Sequence, residues 1–250
     1  GGGGKDLVRA VVGEAGRKGG NYRAGELAGT GLRDLDMEGR MTGCNMMVEM
    51  GAKCGIMPAD DILREWFAAM FPGEAFTGVN ADEDAVYAVR ASIDLSALSP
   101  RIALPHNPDN VVPVTEAAGK PVQGAYLCGC TNTRIGDLRI AARILAQGRA
   151  KTRLHIVPAS IAVYRQAVDE GLVSTFLEAG AVIGPPSCRG CSGGTHYAAP
   201  GKGEHVISAA NRNFKGRLGT PDSFIYLASP ATVAASALTG ENTDTREVLS

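Results

Sequence analysis

The sequence has no excess of charge of either sign, since 25 lysines and arginines stand against 26 aspartates and glutamates in 250 residues. It therefore lacks the basic footprint of a protein that binds DNA or RNA. It also has no apolar run that approaches the roughly 18 residues of a membrane span, and no charged and then hydrophobic leader. These absences argue against nucleic-acid and membrane partners and predict a protein of the cytoplasm.

Glycine, in contrast, is abundant. The chain has 33 glycines in 250 residues, about twice the usual share, which predicts many tight turns and close backbone approaches. At 44% hydrophobic residues, the chain can bury one large core or two modest ones. Its six cysteines, in a reducing compartment, are expected to be thiols, metal ligands or catalytic groups rather than disulfides.

Two regions are distinguished along the chain. The first, residues 1–92, is punctuated by glycine and predicted to be helical, with a helix over "DDILREWFAAMF", residues 60–71. Residues 93–114 contain four prolines and mark a domain boundary. The prediction is therefore two α/β domains, 1–92 and 93–250.

The second region repeats one pattern, in which a short apolar run leads to a small-residue loop and then to a helical segment. The runs are "GAYLCG", "RLHIV", "GAVIG", "EHVISAA" and "FIYLAS". Continuous apolar strands that alternate with helices predict a parallel sheet covered on both faces. Ligands bind such sheets at the loops that follow strand ends, where helix N-termini offer free N–H groups.

The chemically unusual residues of the second region fall in these loops. They are Cys130, Cys188, Cys191, Asn211, Arg212 and Arg217. If the sheet forms as predicted, three thiolates and two guanidinium groups converge on one crevice.

The cysteines alone leave several interpretations open. Cys188 and Cys191 form a C-x2-C pair whose sulfurs can reach one metal. Core thiols are one alternative, although the polar and glycine-rich neighbours argue against burial. A redox pair and a structural zinc with His196 as fourth ligand are others. Three cysteines without an obvious fourth suit a [4Fe–4S] cluster with one open iron, which acts as a Lewis acid.

Four separated segments carry a family resemblance: "MEGRMTGCNMMVEMGAKCG", "CTNTRIGDLR", "PPSCRGC" and "SAANRNFKGRLG". Together they resemble the signature segments of the aconitase superfamily, in particular of 3-isopropylmalate dehydratase and homoaconitase-like large subunits. They occur in the family's order and span nearly the whole chain. The resemblance implies an aconitase iron–sulfur domain fold, with three-layer α/β/α domains and largely parallel sheets.

The resemblance also implies roles for single residues. It makes Cys130, Cys188 and Cys191 the ligands of a [4Fe–4S] cluster. It places Asn211 beside the cluster, in the active site with Asn45 and Glu49 of the C-N-M-x-x-E segment. The N-R-N-F-x-G-R segment implies that Arg212 and Arg217 bind substrate carboxylates.

The chemistry of these side chains agrees with the implied roles, but each residue can also have an ordinary structural role. Two arginines five residues apart can clamp a di- or tricarboxylate through their planar forks, or they can be solvated surface residues. Glu49 can hydrogen-bond a hydroxyl or water at an open iron, or can be a helix-surface carboxylate. Asn45 can instead cap a helix.

The remaining cysteines, Cys44, Cys54 and Cys128, have no place in a three-ligand scheme and are predicted to be small buried hydrophobes. The stretch "PHNPDN", with His106 and Asp109, is expected to shape the domain junction.

The resulting hypothesis is a hydro-lyase large-subunit fragment that acts on a 2- or 3-hydroxy di- or tricarboxylic acid such as isopropylmalate. By the resemblance, two parts are expected from elsewhere: an N-terminal region with further active-site residues, and a small swivelling subunit or domain with a serine base. The alternatives are a cluster-binding sensor or regulator without catalysis and a structural zinc module.

Overall fold

The computed structural model describes residues 3–188, 191 and 199–249, so His196 lies outside the described residues. The helices in this part of the chain are α1 (Gly4–Ala15), α2 (Met37–Met46), α3 (Asp61–Met70), α4 (Ile135–Leu145), α5 (Ile161–Asp169), α6 (Leu172–Glu178) and α7 (Pro230–Thr239). The strands are β1 (Ala24–Glu26), β2 (Cys54–Ile56), β3 (Arg101–Ala103), β4 (Val111–Pro113), β5 (Gly124–Leu127), β6 (Arg153–Ile156), β7 (Val182–Ile183), β8 (His205–Ser208) and β9 (Phe224–Ala228). No helix of the described chain is both long and apolar enough to cross a membrane.

Seven of the strands form one sheet in the order β4-β3-β9-β8-β5-β6-β7. The neighbours from β9 to β7 are all parallel, whereas β3 is antiparallel to both β4 and β9. The predicted largely parallel sheet is confirmed. Strands β5 and β8 are adjacent and parallel, so the loops that leave them emerge at the same edge.

The sheet is the middle of three layers. Ala125 and Leu127 of β5 face a core shared with α4, α5, α6 and α7, whereas the alternate residue Tyr126 faces a second cluster on the other side. On that second side, α1 crosses β3 and β4, where a Cβ on Gly13 would lie 2.9 Å from Cβ of Val111. The predicted three-layer α/β/α architecture is confirmed.

Two features of the predicted pattern differ in the structure. The loop after β8, "NRNFKGRLG", forms turns, with Gly216 (φ 77°) and Gly219 (φ 117°) in left-handed backbone conformations, and leads to β9 without the helix that the repeating pattern predicts. In the first region α3 ends at Met70, and residues 72–94 form neither helix nor strand. These residues are mostly exposed, so no packing surface supports a helix there.

The first region contains its own short parallel pair, β1 with β2. It is also joined closely to the second region, since the backbone N–H of Arg101 donates to Oδ1 of Asp6 at 3.0 Å. The division into domains 1–92 and 93–250 stays a prediction.

Candidate active site

Cys130 lies where the chain leaves the carboxyl end of β5, and its side chain is exposed. The preceding Gly129 has φ 114°, and a Cβ there would lie 3.3 Å from Cα of Ala210. A glycine therefore allows the Cys130 loop and the segment after β8 to approach each other closely. The thiol is held at the edge of the sheet where ligand sites of parallel sheets form.

Two asparagine side chains contact the Cys130 sulfur. Nδ2 of Asn45 donates to it at 3.7 Å and Nδ2 of Asn211 at 3.9 Å. The two amides are also joined, because Nδ2 of Asn211 donates to Oδ1 of Asn45 at 3.2 Å. Three residues predicted from separate motifs thus lie together, contributed by α2, the loop after β5 and the loop after β8.

Threonines outside the predicted set fix this group. Thr131 is fully buried, and its Oγ1 donates to Oδ1 of Asn211 at 2.7 Å. Its own carbonyl accepts from Oγ1 of Thr42 at 2.6 Å. With its oxygen occupied, the Asn211 amide presents its N–H groups to the sulfur. Both threonines lie inside the family segments quoted above, and this position is the only signal in the sequence that points to a role in the site.

Glu49 and Arg212 form the central ion pair of the site. Glu49 lies in the short 3-10 turn Met47–Met50, its side chain 3% exposed, and accepts from Nε of Arg212 at 2.9 and 3.1 Å. The pKa of Arg212 is raised, mainly by this hydrogen bond and then by the charge of Glu49. Burial opposes the shift by lowering the pKa, and the charges of Cys191 and Cys130 raise it slightly further. The guanidinium therefore lies in the electrostatic field of both sulfurs.

Cys188 and Cys191 are joined by a backbone hydrogen bond, in which the N–H of Cys191 donates to the carbonyl of Cys188 at 3.2 Å. Cys188 is exposed. Cys191 is buried in an apolar cluster with Cys128, against the expectation that its polar neighbours would keep it out of a core. Burial follows because the Cys191 side chain packs against the second face of the sheet. A terminal nitrogen of Arg217 donates to the Cys191 sulfur at 3.6 Å.

Within residues 3–188, 191 and 199–249, no three cysteine, histidine, aspartate or glutamate side chains are close enough to hold a metal ion. The donor chemistry nevertheless fits an iron–sulfur group. Cys130 and Cys191 are free thiols whose sulfurs accept N–H hydrogen bonds, as cluster ligands do. The complete ligand set of Cys130, Cys188 and Cys191 stays a prediction.

A buried lysine beneath the site was not predicted. The ammonium of Lys5, in the first turn of α1, donates to the carbonyls of Ala209 and Ala210. Desolvation, and then the charge of Arg9, lower its pKa to about 7. Nearby, burial raises the pKa of Asp137 to about 6. The sequence gives no signal of this burial, because Lys5 stands in a helix that also carries Asp6, Arg9 and Glu14.

The other cysteines differ among themselves. Cys128 is buried as predicted, and burial raises its pKa to about 12. Cys44 is half-buried, whereas Cys54, at the start of β2, is exposed, so the prediction for Cys54 is wrong. A strand in a two-stranded sheet has little to cover it.

Asp109 accepts from the backbone N–H of Arg17 at 3.1 Å and so joins the two regions near the predicted junction.

The family model of the aconitase family (aconitate hydratase) matches residues 1–240. The chain is 44% identical over 247 residues to the 3-isopropylmalate dehydratase large subunit of Oleidesulfovibrio alaskensis, covering 98% of this chain and 58% of that protein. It is 46% identical to the subunit of the same name from Nitratidesulfovibrio vulgaris, with 97% and 58% covered. The probable methanogen homoaconitase large subunit of Methanosarcina mazei is 43% identical, with 98% and 62% covered. The chain thus spans about three fifths of the length of these relatives.

Proposed function

The chain belongs to the aconitase family, and from this premise we propose that it is the cluster-binding part of a hydro-lyase. Its substrate is a 2- or 3-hydroxy di- or tricarboxylic acid such as isopropylmalate. The names of the relatives, a 3-isopropylmalate dehydratase and a probable homoaconitase, support this class of reaction. Because the relatives are longer, activity requires the rest of their length and a small subunit, which supplies the base.

The observation that carries the proposal is the convergence of five side chains from three distant segments on one edge of the sheet. They are Asn45, Glu49, Cys130, Asn211 and Arg212. A surface without function has no reason to collect an exposed thiol, two amides and a buried carboxylate paired with a partly exposed guanidinium, since burying a charge is costly.

A [4Fe–4S] cluster would be held by Cys130, Cys188 and Cys191. Its open iron would act as a Lewis acid on the substrate hydroxyl. The chain's own side chains would orient these ligands, since N–H groups of Asn45, Asn211 and Arg217 donate to the sulfurs of Cys130 and Cys191. Such hydrogen bonds position metal ligands and tune their charge.

Arg212 and Arg217 would bind the carboxylates of the substrate. Glu49 holds Arg212 through Nε, so the terminal nitrogens form the face offered to a carboxylate. With its carboxylates fixed by these arginines, the substrate would be held in one orientation, so that a base on the small partner could remove the proton next to a carboxylate. The cluster, held by Cys130, Cys188 and Cys191, would supply a Lewis acid for the departing hydroxyl.

Anaerobic reconstitution tests the cofactor. We expect about four irons and four sulfides per chain with brownish absorbance. One zinc per chain without sulfide would reject the proposal in favour of a structural zinc module.

Adding the remaining region of a relative and a small subunit tests the activity. Turnover of isopropylmalate supports the hydro-lyase. A chain that holds the cluster but gives no turnover with these parts would instead be a sensor or regulator.

A further inference from the structure

Lys5 links the start of the chain to the segment that carries Asn211 and Arg212. Its side chain is 1% exposed, and its ammonium donates to the carbonyl of Ala209 and, at 3.0 Å, to that of Ala210. These are the two residues directly before Asn211. The contact crosses more than 200 positions of sequence.

We propose that Lys5 is a positioning residue, which fixes the backbone leaving β8 and thereby places Asn211 against Cys130 and Arg212 against Glu49. The catalytic consequence rests on the proposed function. The positioning itself does not.

The backbone at this point needs such a donor. Beyond Ser208 the strand β8 ends, yet Ala209 and Ala210 remain completely buried. Their N–H groups are satisfied, by the carbonyl of Tyr126 at 2.9 Å and by Oγ of Ser208 at 3.0 Å. Lys5 satisfies their carbonyls. Buried carbonyls require a partner, so the ammonium completes the hydrogen bonding of this turn.

The position of Lys5 is itself fixed from two sides. The adjacent Asp6 accepts from the backbone N–H groups of Arg101 at 3.0 Å and Gly3 at 3.2 Å, which anchors the first turn of α1 to β3. A Cβ on Gly4 would lie 2.7 Å from Cα of Gly39, so α1 touches α2, the helix that carries Asn45. Lys5 therefore lies where the segment of Asn45 meets the segment of Asn211.

The test compares three substitutions in the 250-residue chain. Lys5→Met keeps the length of the side chain and removes the donor. Lys5→Arg keeps the charge and several N–H donors. Arg9→Met is the matched control, because Arg9 is also 1% exposed and lies one turn further along α1. If Lys5→Met does not fold, Lys5→Gln takes its place; its amide is one atom shorter and uncharged, so smaller increases in the same direction are expected.

Two measurements need neither cluster nor substrate. The first is hydrogen exchange of the peptide that spans 209–214, and the second is the rate at which phenylglyoxal modifies Arg212. We expect Lys5→Met to raise both about tenfold while exchange of α7 stays unchanged, and Lys5→Arg to restore them substantially. Arg9→Met should leave both near wild type. Unchanged rates in Lys5→Met, or equal acceleration throughout the chain in Lys5→Met and Arg9→Met, would overturn the proposal.

Kinetics of the assembled enzyme then separate the two proposals. If the wild type is active, Lys5→Met should raise KM for the hydroxy acid at least tenfold, because Arg212 is displaced. Retention of wild-type KM together with the exchange result expected above would refute the catalytic consequence. If the wild type shows no turnover, the proposed function fails, and the exchange and modification rates still decide the role of Lys5.

Discussion

Glu49 and Arg212, 163 positions apart, are joined through a single nitrogen: Nε of the arginine donates to both carboxylate oxygens of the glutamate. In the described part of the chain, the two terminal nitrogens of Arg212 have no hydrogen-bond partner. The Arg212 guanidinium is therefore held at Nε and open at its two terminal nitrogens. Holding Nε orients the guanidinium plane, so that its open side can receive a substrate carboxylate.

Substituting Glu49 with glutamine tests this division. Glu49→Gln removes the negative charge that orients Arg212 while keeping nearly the same shape. Hydrogen bonds between charged groups contribute about 1.5–3 kcal/mol, so kcat/KM of the assembled enzyme should fall by about 10- to 100-fold. Steady-state kinetics with the hydroxy acid, after reconstitution, measure the change.

A second arginine–glutamate pair provides the matched control. Glu170 accepts from Nε and a terminal nitrogen of Arg139 at 2.8 and 2.6 Å, but this pair lies on the surface between α4 and α5. Glu170→Gln should leave kcat/KM within about twofold of wild type, since exposed pairs contribute little. A wild-type rate in Glu49→Gln, or an equal loss in both variants, would show that the Glu49–Arg212 pair has no special role.

The residues of this site differ in how far the sequence could predict them. Cys130 and Asn211 stand in loops after apolar runs, and such loops are predictable from the apolar pattern, whereas Asn45 is indicated only by the family resemblance of its segment. Lys5 could not be found in this way, because its burial follows from how α1 meets the end of β8. Such packing arises from residues about 200 positions away and has no local signature.

The same reasoning explains the errors. The loop of Arg217 was expected to lead into a helix, yet its glycines adopt left-handed conformations that only the packed structure reveals. Cys54 was expected to be buried because cysteine usually is. Its strand has a neighbour, β1, on one side only, and the thiol faces solvent. Burial depends on the layers above a strand, which the local pattern does not determine.

Replacing cysteines one at a time tests the ligand set. Cys188→Ser or Cys191→Ser should prevent assembly of the cluster, because a serine hydroxyl is a poor substitute for a thiolate at iron. Iron and sulfide should fall from about four each per chain toward zero. Cys54→Ser is the control, since Cys54 is equally free but has no place in the three-ligand scheme. Equal loss in all three variants would mean that the assignment of ligands is wrong.

Changing Asn211 to aspartate tests the hydrogen bonds to sulfur. The amide donates to the Cys130 sulfur and to Asn45, whereas a carboxylate brings negative charge toward a thiolate and removes the donor. The reconstituted chain should lose its iron several times faster in air, followed by absorbance. Asn80→Asp is the control, because Asn80 is exposed and its Oδ1 accepts from Ala59, as aspartate also can. An unchanged rate in Asn211→Asp would argue against a role of this amide at the cluster.

Asp60 links α3 to α2 and makes stability depend on pH. Both of its oxygens accept from the Arg40 guanidinium at 2.7 Å, and Oδ1 also caps α3 by accepting from Leu63 at 3.2 Å. The hydrogen bond with Arg40 is the main cause that lowers the pKa of Asp60 below 3.8. A carboxyl with a lowered folded-state pKa stabilises the protein above 3.8, and this contribution is lost as the pH falls through 3.8 toward the folded-state value.

Asp60→Asn should therefore lower the free energy of unfolding by about 1 kcal/mol at pH 7. This is the usual contribution of a helix cap, and nothing is added for the ion pair because the Asp60 side chain is partly exposed to solvent. The difference from wild type should shrink below about pH 5, since wild type then loses the same charge by protonation. Urea denaturation at pH 7, 5 and 4 measures it. Asp61→Asn is the matched control, because its carboxylate is 91% exposed and lies 3.7 Å from Arg64. A deficit in Asp60→Asn that is constant with pH, or matched by Asp61→Asn, would mean that the charge of Asp60 does not stabilise the contact between α2 and α3.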